Sequence, residues 1–291
     1  MNQDKLGNRV STVLARKLGG ELLRLRDAAG LTQPQAAEAL TATAAKVAKM
    51  ERGWVPFRDP DIIALCKRYG VEDDRTVDGL LRLAKLDRDR RKAKGWWQNT
   101  PHAGGLAEYI AMEDAASSIR AWQLSLIPGL FQTSAYVRTL AVSDGMWENP
   151  DDIERVVEVR LRRQARLAGE SPLRVHAVIW EAALRQEIGG PEVMREQLAH
   201  LLEVSEQPNV HVQVLPFRAG GHPCVGGAFN ILSFADADAI DVVHVDTMAS
   251  TVWIENAPES TSYSTFFDRT ARLSLSPHDS ARLIDSISKG M

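Results

Sequence analysis

Residues able to do chemistry gather most densely between positions 33 and 58. Lys46 and Lys49 stand three apart, so on a helix they share one face. Thr43, Ala44 and Ala45 lie just ahead of them, Gln33 opens the preceding segment, and Arg52 and Arg58 follow. Ammonium and guanidinium groups pair with phosphate, lysine and amide donors reach base edges, and an alanine can touch a thymine methyl. The chemistry open to this set is contact with double-stranded DNA. A second group, His222 and Cys224 in AGGHPCVGGAF, could supply two metal ligands, but no second pair lies nearby; a glycine-rich loop between strands is the simpler reading. No HExxH or CxxC spacing, phosphate-cradling glycine loop or GxSxG elbow is present. The expectation is a chain with no catalytic residue, no metal and no cofactor, and hence not an enzyme.

The elements that would position the basic set can be read from caps and periodicity. GELLRLRDAAG places Leu22, Leu23, Leu25, Ala28 and Ala29 at helical spacing, with Gly30 as a stop. Thr32 caps the next helix, Gln35 is its capping-box partner, and Pro34 sits in the first turn, where its missing donor is not needed. Ala36, Ala37 and Leu40 form the inward face. Thr43 caps a further helix with Val47 and Met50 buried, and Gly53 ends it. Two short helices joined by a tight turn form a helix-turn-helix, whose second helix such folds lay in the major groove.

The GLTQ start, Ala37 at the helix contact, Val47 and Met50, and the KMERG ending resemble the XRE family of Cro and phage-repressor-like domains over about residues 18–72. The later helix DPDIIALCKRYGV supplies Ile62, Ile63, Leu65, Cys66 and Tyr69 to close the bundle. The resemblance implies that Gln33 and Thr43 meet phosphate or base edges, with Ala44, Ala45, Lys46 and Lys49 facing the groove. Arg52 and Arg58 flank the helix and would hold phosphates. Two departures stand out. Thr41 occupies a turn position where the family usually has a left-handed glycine, at a cost of about 1–2 kcal/mol if the backbone angle is kept. Ala44 and Ala45 replace the hydrogen-bonding residues of many relatives, which shifts specificity toward apolar contact, the lysines and DNA shape.

RTVDGLLRLAKLDRDRRKAKG, residues 75–95, reads as a helical basic linker: it starts as a docking helix through Leu80, Leu81, Leu83 and Leu86, and from Arg88 to Lys94 it is an exposed connector, with added phosphate contacts as the alternative. Beyond it the texture changes. DDIERVVEVRLRRQARL is a long helix with Ile153, Val156, Val157, Val159 and Leu161 as buried positions, and its Arg160, Arg162, Arg163 and Arg166 read as a solvated face, with contact to an acidic partner as the alternative. The strand IRAWQLSLI, the strand LRVHAVIW and four late short strands, NVHVQVLPF, GAFNILSF, AIDVVHVDT and STVWIE, alternate with helices. The fold class is α+β: an all-α N-terminal bundle, residues 1–74, and a larger domain, residues 96–291, with a small mixed or antiparallel sheet.

IPGLFQTSAYVR, EVRLRRQARL, EAALRQEIGG, VMREQLAHLLE and VQVLPFRAGGHP resemble the large domain that follows the helix-turn-helix in actinobacterial, WhiJ-type developmental regulators. That resemblance implies a partner- or signal-sensing role, with a small acidic partner protein or a small molecule as effector, and assigns no catalytic residue. Trp122, Trp180, Phe229 and Trp253, in or beside strands, together with Glu181 and His222, are the candidate effector contacts, against the plainer reading that the aromatics are core.

Composition agrees with a two-domain globular protein: 291 residues, 44% apolar and 25% charged. Residues 1–95 carry 20 Lys and Arg against 13 Asp and Glu, net +7, leaving 15 against 25, net −10, for the remainder. A basic segment joined to an acidic one is a pattern of nucleic-acid binding. The longest apolar runs fall short of the roughly 18–20 residues of a membrane span, and two distant cysteines suit a reducing compartment. The sequence thus leads to the expectation of a cytoplasmic, homodimeric DNA-binding transcription regulator reading half-sites about 34 Å apart, with an effector domain. The alternative is an antitoxin-like protein that neutralises a small partner and regulates its own promoter.

Overall fold

The computed structural model describes residues 13–92, 105–145, 147, 149–235, 241–247 and 250–291. The chain divides into two units, Met1–Lys94 and Gly95–Met291. In the first, α1 (Val13–Ala28), α2 (Gln33–Ala39), α3 (Ala44–Glu51), α4 (Asp59–Tyr69) and α5 (Asp74–Lys92) follow one another. Helices as short as α2 and α3 are marginal alone, so tertiary burial must hold them. Leu18 and Leu22, Ala36 and Ala37, Val47 and Met50, and Leu80 and Ala84 meet in one core with α4. Ile62, Leu65, Cys66 and Tyr69 are buried there, whereas Ile63 is exposed. The buried four recur at i, i+3, i+4, i+7, and Ile63 falls outside that stripe. At Gly19, α1 crosses the end of α3 so closely that a Cβ would stand 2.3 Å from the Glu51 carbonyl oxygen.

The basic stretch from Arg88, expected as the exposed part of a helical basic linker, is helical to Lys92, but Arg88 itself is only half-exposed. Arg88 pairs with Asp59 at 2.8 Å and donates to the Phe57 carbonyl, tying α5 to the entry of α4. A helix end with such partners gains more from docking than from solvation. The expectation for residues 93–95 lies outside the described residues, as does the side chain of Leu86.

Among the described residues the second unit is built on six strands, β1 (Ser118–Gln123), β2 (Arg174–Trp180), β3 (Val210–Leu215), β4 (Phe229–Ser233), β5 (Val242–Asp246) and β6 (Thr251–Ile254). Their order is β3-β2-β1-β4-β5-β6, with β1, β2 and β3 parallel and β4, β5 and β6 antiparallel to their neighbours. The parallel links carry α7 (Ser134–Ser143) and α8 (Pro150–Gln164), then α9 (Glu181–Arg185) and α10 (Pro191–Ser205); α6 (Gly105–Ala115) precedes the sheet, and α11 (Ala257–Leu273) and α12 (Pro277–Lys289) follow it. The α+β class with a mixed sheet is as the sequence led one to expect.

Strand alternation gives the sheet two different faces. Register places Ala121 beside Ala177 and Asn230, and Asn230 beside His244, on one face; Trp122, Val178 and Phe229 align on the other. Phe267 of α11 packs with the Trp122 face. On α8, Val157 and Val159 are buried, but Leu161 is 40% exposed and Arg163 is buried. The correction has an electrostatic cause: Arg163 meets Glu113 of α6 at 2.7 and 2.8 Å, so a charge enters the interior already paired.

Candidate nucleic-acid interface

The turn between α2 and α3 keeps the left-handed geometry. Thr41 has φ +49° and is the one non-glycine residue with positive φ among the described residues. Its strain is offset by the packing of the helices on either side. Ahead of it, Gln35 Oε1 accepts from both the N–H (2.8 Å) and the hydroxyl (2.9 Å) of Thr32, fixing the start of α2. After it, Thr43 Oγ1 accepts from the Lys46 N–H at 3.2 Å and caps α3.

The far end of α3 is anchored from inside. Glu51 takes Arg26 Nε at 2.6 Å and Arg26 Nη2 at 3.3 Å, both side chains being buried, and Gln33 Nε2 donates to the same carboxylate at 2.7 Å. Arg26 Nη1 also donates to the Leu31 carbonyl at 2.6 Å. One carboxylate therefore joins the end of α1, the start of α2 and the end of α3. The Glu51 hydrogen bond and charge raise the Arg26 guanidinium further above its ordinary value, against the pull of burial. Burial, and then the Glu51 charge, push the nearby Tyr69 hydroxyl up to about 12.

With both ends fixed, α3 turns Val47 and Met50 inward and leaves Ala45 and Lys49 exposed and Ala44 and Lys46 half-buried at its margin. Arg52, just past the helix, is exposed with its guanidinium 5.4 Å over the Trp54 ring, a contact that steadies its direction. Arg58 is 71% exposed at the entry of α4 and grips Asp61 through Nε (3.0 Å) and Nη2 (2.8 Å). That grip uses one edge of the guanidinium, and a planar five-donor group keeps another for a second anion. The Arg58 hydrogen bonds hold the Asp61 carboxyl below its ordinary value, and Lys46 adds to this at longer range.

Of the eight expected DNA contacts, Thr43, Ala44, Ala45, Lys46, Lys49 and Arg52 thus lie on or beside α3, with Arg58 at the start of α4. Gln33 differs: its amide nitrogen is committed to Glu51, so its work in this structure is to position the helix. The buried Arg26–Glu51 pair was not read from the sequence. A charged residue on the inward side of each of two amphipathic helices, α1 and α3, was the available signal.

The expected effector contacts do not form one site. Trp122, Phe229 and Trp180 lie on the α11 face of the sheet. There Trp122 Nε1 donates to the Cys224 carbonyl at 2.9 Å, and His222 stands 5.1 Å from the Trp122 ring and 6.4 Å from that of Trp180. Cys224 Sγ accepts from Thr270 at 3.0 Å, and no group of three or more candidate metal ligands forms among the described residues. Glu181 is spent on structure, accepting from Arg185 at 2.7 Å and from the Phe217 N–H at 2.8 Å. Trp253 sits on the opposite face, 4.6 Å from His244. No helix among the described residues is long and apolar enough to cross a membrane.

Comparison with known proteins accords with the two units. Residues 17–80 match the family model described as a helix-turn-helix domain, so the N-terminal unit carries the domain of a DNA-binding regulator. No curated protein and no solved structure matches the chain. Residues 106–286 match the model described as a domain of unknown function (DUF5753), and because that match covers more than half of its length, the chain belongs to the DUF5753 family.

Proposed function

We propose that the protein is a sequence-specific transcription regulator of the XRE, WhiJ-like kind, acting in the cytoplasm as a homodimer whose two α3 helices enter successive major grooves. The observation that supports this reading most is α3 itself. It is capped by Thr43, anchored by Glu51, and presents Ala45, Lys49 and Lys46 outward between the flanking Arg52 and Arg58. Phosphate contacts from the arginines fix register, and the lysines and the alanine methyls read the groove. The second unit serves as the dimerising and effector-receiving part, with no reaction of its own.

Capture of genomic DNA by the purified full-length protein at near-physiological salt tests this. A small set of palindromic sites with half-sites one helical turn apart is the expected outcome. Recovery of the protein's own promoter alone would favour the partner-neutralising, antitoxin-like role, and uniform, salt-sensitive binding to all DNA would contradict sequence specificity.

A further inference from the structure

The face of the sheet opposite α11 borders a cavity of about 300 Å³, at the lower end of the size range of small-molecule sites. Its walls are polar and apolar in about equal measure, with Leu106, Ile119, Leu126, Leu140 and Val175 forming the apolar part. Two arginines of α8 enter this space. Arg163 is neutralised by Glu113 and lies 5.1 Å over the Tyr109 ring. Arg160, one turn earlier, has no ion pair or hydrogen bond among the described residues. Its Nη1 instead occupies the volume that a side chain at position 129 would fill, 2.6 Å from where a Gly129 Cβ would stand. The missing side chain at Gly129 is what admits the guanidinium to the cavity.

Arg160 is half-buried, and a partly desolvated cation without a close counter-charge is costly. Burial, and then repulsion from Arg163, pull Arg160 down to about 10. Two carboxylates attract it from beyond ion-pair distance, and both have closer partners: Glu113 with Arg163, and Asp246 with His244 at 3.3 Å and Thr251 at 2.9 Å. A second polar group in the wall is also unsatisfied. Gln132 is buried, its amide nitrogen donates to the Ile127 carbonyl at 2.8 Å, and its Oε1 has no partner. A cavity with one unspent cation, one unspent acceptor and an apolar stretch of wall is complementary to a ligand of definite kind.

We propose that this cavity binds a small carboxylic acid bearing a hydroxyl or amino group and a short apolar body, its carboxylate held by Arg160 and its donor group by Gln132. Asp246 at the cavity edge opposes a second negative charge, which favours a carboxylate over a phosphate ester. As the identity of the effector this rests on the regulatory reading above; as a binding site it does not.

Ligand-observed NMR on the full-length protein tests it, with phenyllactate, phenylalanine and leucine as probes, their neutral amides as controls, and phenyl phosphate as the alternative anion. The expected result is saturable binding of at least one carboxylate, weaker binding of its amide and of phenyl phosphate, and at least about tenfold weaker binding in Arg160→Met. Gly129→Ala, which displaces the guanidinium without removing it, should weaken binding in the same way. Arg160→Met should also melt no lower than the parent protein, since it removes an unpaired charge. The proposal is overturned if no carboxylate binds, if phenyl phosphate binds better, if both variants bind as the parent does, or if Arg160→Met melts well below it, which would make Arg160 a structural residue. DNA affinity measured on the same samples stands apart: failure to bind DNA contradicts the regulatory reading and leaves the cavity result intact.

Discussion

Arg26 and Glu51 meet at 2.6 Å inside the N-terminal bundle, and Gln33 fastens on the same carboxylate. The residues that face solvent on α3 are therefore aimed by a buried ion pair. Replacing Glu51 with Ala leaves the buried Arg26 with only the exposed Asp27, 2.7 Å from its Nη1, as a carboxylate partner, and is expected to cost about 2–4 kcal/mol. The double replacement Arg26→Met with Glu51→Leu is expected to recover most of that loss. Urea unfolding of the N-terminal transition measures both, and equal stability of the single and double variants would contradict the account.

Thr41 keeps a φ of +49° in the turn. A glycine there adopts the angle without the Cβ penalty of about 1–2 kcal/mol, part of which is returned to the entropy of the unfolded chain. Thr41→Gly is expected to stabilise the bundle by about 0.5–1 kcal/mol, read as a higher urea midpoint with unchanged slope. A loss of stability would show that the threonine side chain does something its backbone angle does not reveal.

Arg58 lowers the Asp61 carboxyl below its ordinary value of 3.8 through its side-chain hydrogen bonds. A depressed folded-state value contributes stability that is complete above the unfolded pKa and is lost as pH falls through the folded one. The stability difference between the parent protein and Arg58→Ala should thus be full at neutral pH and close as pH falls below about 4. Denaturant midpoints across that range check the sign. If Arg58 holds a phosphate as proposed, the same variant should lower the slope of log affinity against log salt by about one.

The helix-turn-helix is legible in the sequence because its signals are local: Thr32 with Gln35, Thr43, and apolar residues at helical period each act within one turn. The strands are legible through alternation, and the α+β class follows from their clustering. What escaped was set by partners distant in sequence. Arg160 and Arg163 fall with Val156 and Val159 on the i, i+3, i+4, i+7 stripe of α8, yet a run of arginines reads as a solvated face. The Glu113 carboxylate, fifty residues earlier, neutralises Arg163 and makes its burial possible. Trp122 and Trp253 are similar as sequence signals but take opposite faces of the sheet, because face depends on strand register, which a single strand does not carry.

The central claim is that α3 reads DNA through Lys46 and Lys49 while Arg52 and Arg58 hold the backbone. The most direct measurement is the affinity of the full-length protein for a captured operator and for scrambled DNA, at several salt concentrations, in Lys46→Ala, Lys49→Ala and Arg58→Ala. The account predicts that each lysine variant loses about 1–3 kcal/mol of discrimination between the two DNAs, and that Arg58→Ala weakens both about equally. Unchanged discrimination in both lysine variants, with operator binding intact, would contradict the assignment of α3 as the reading helix.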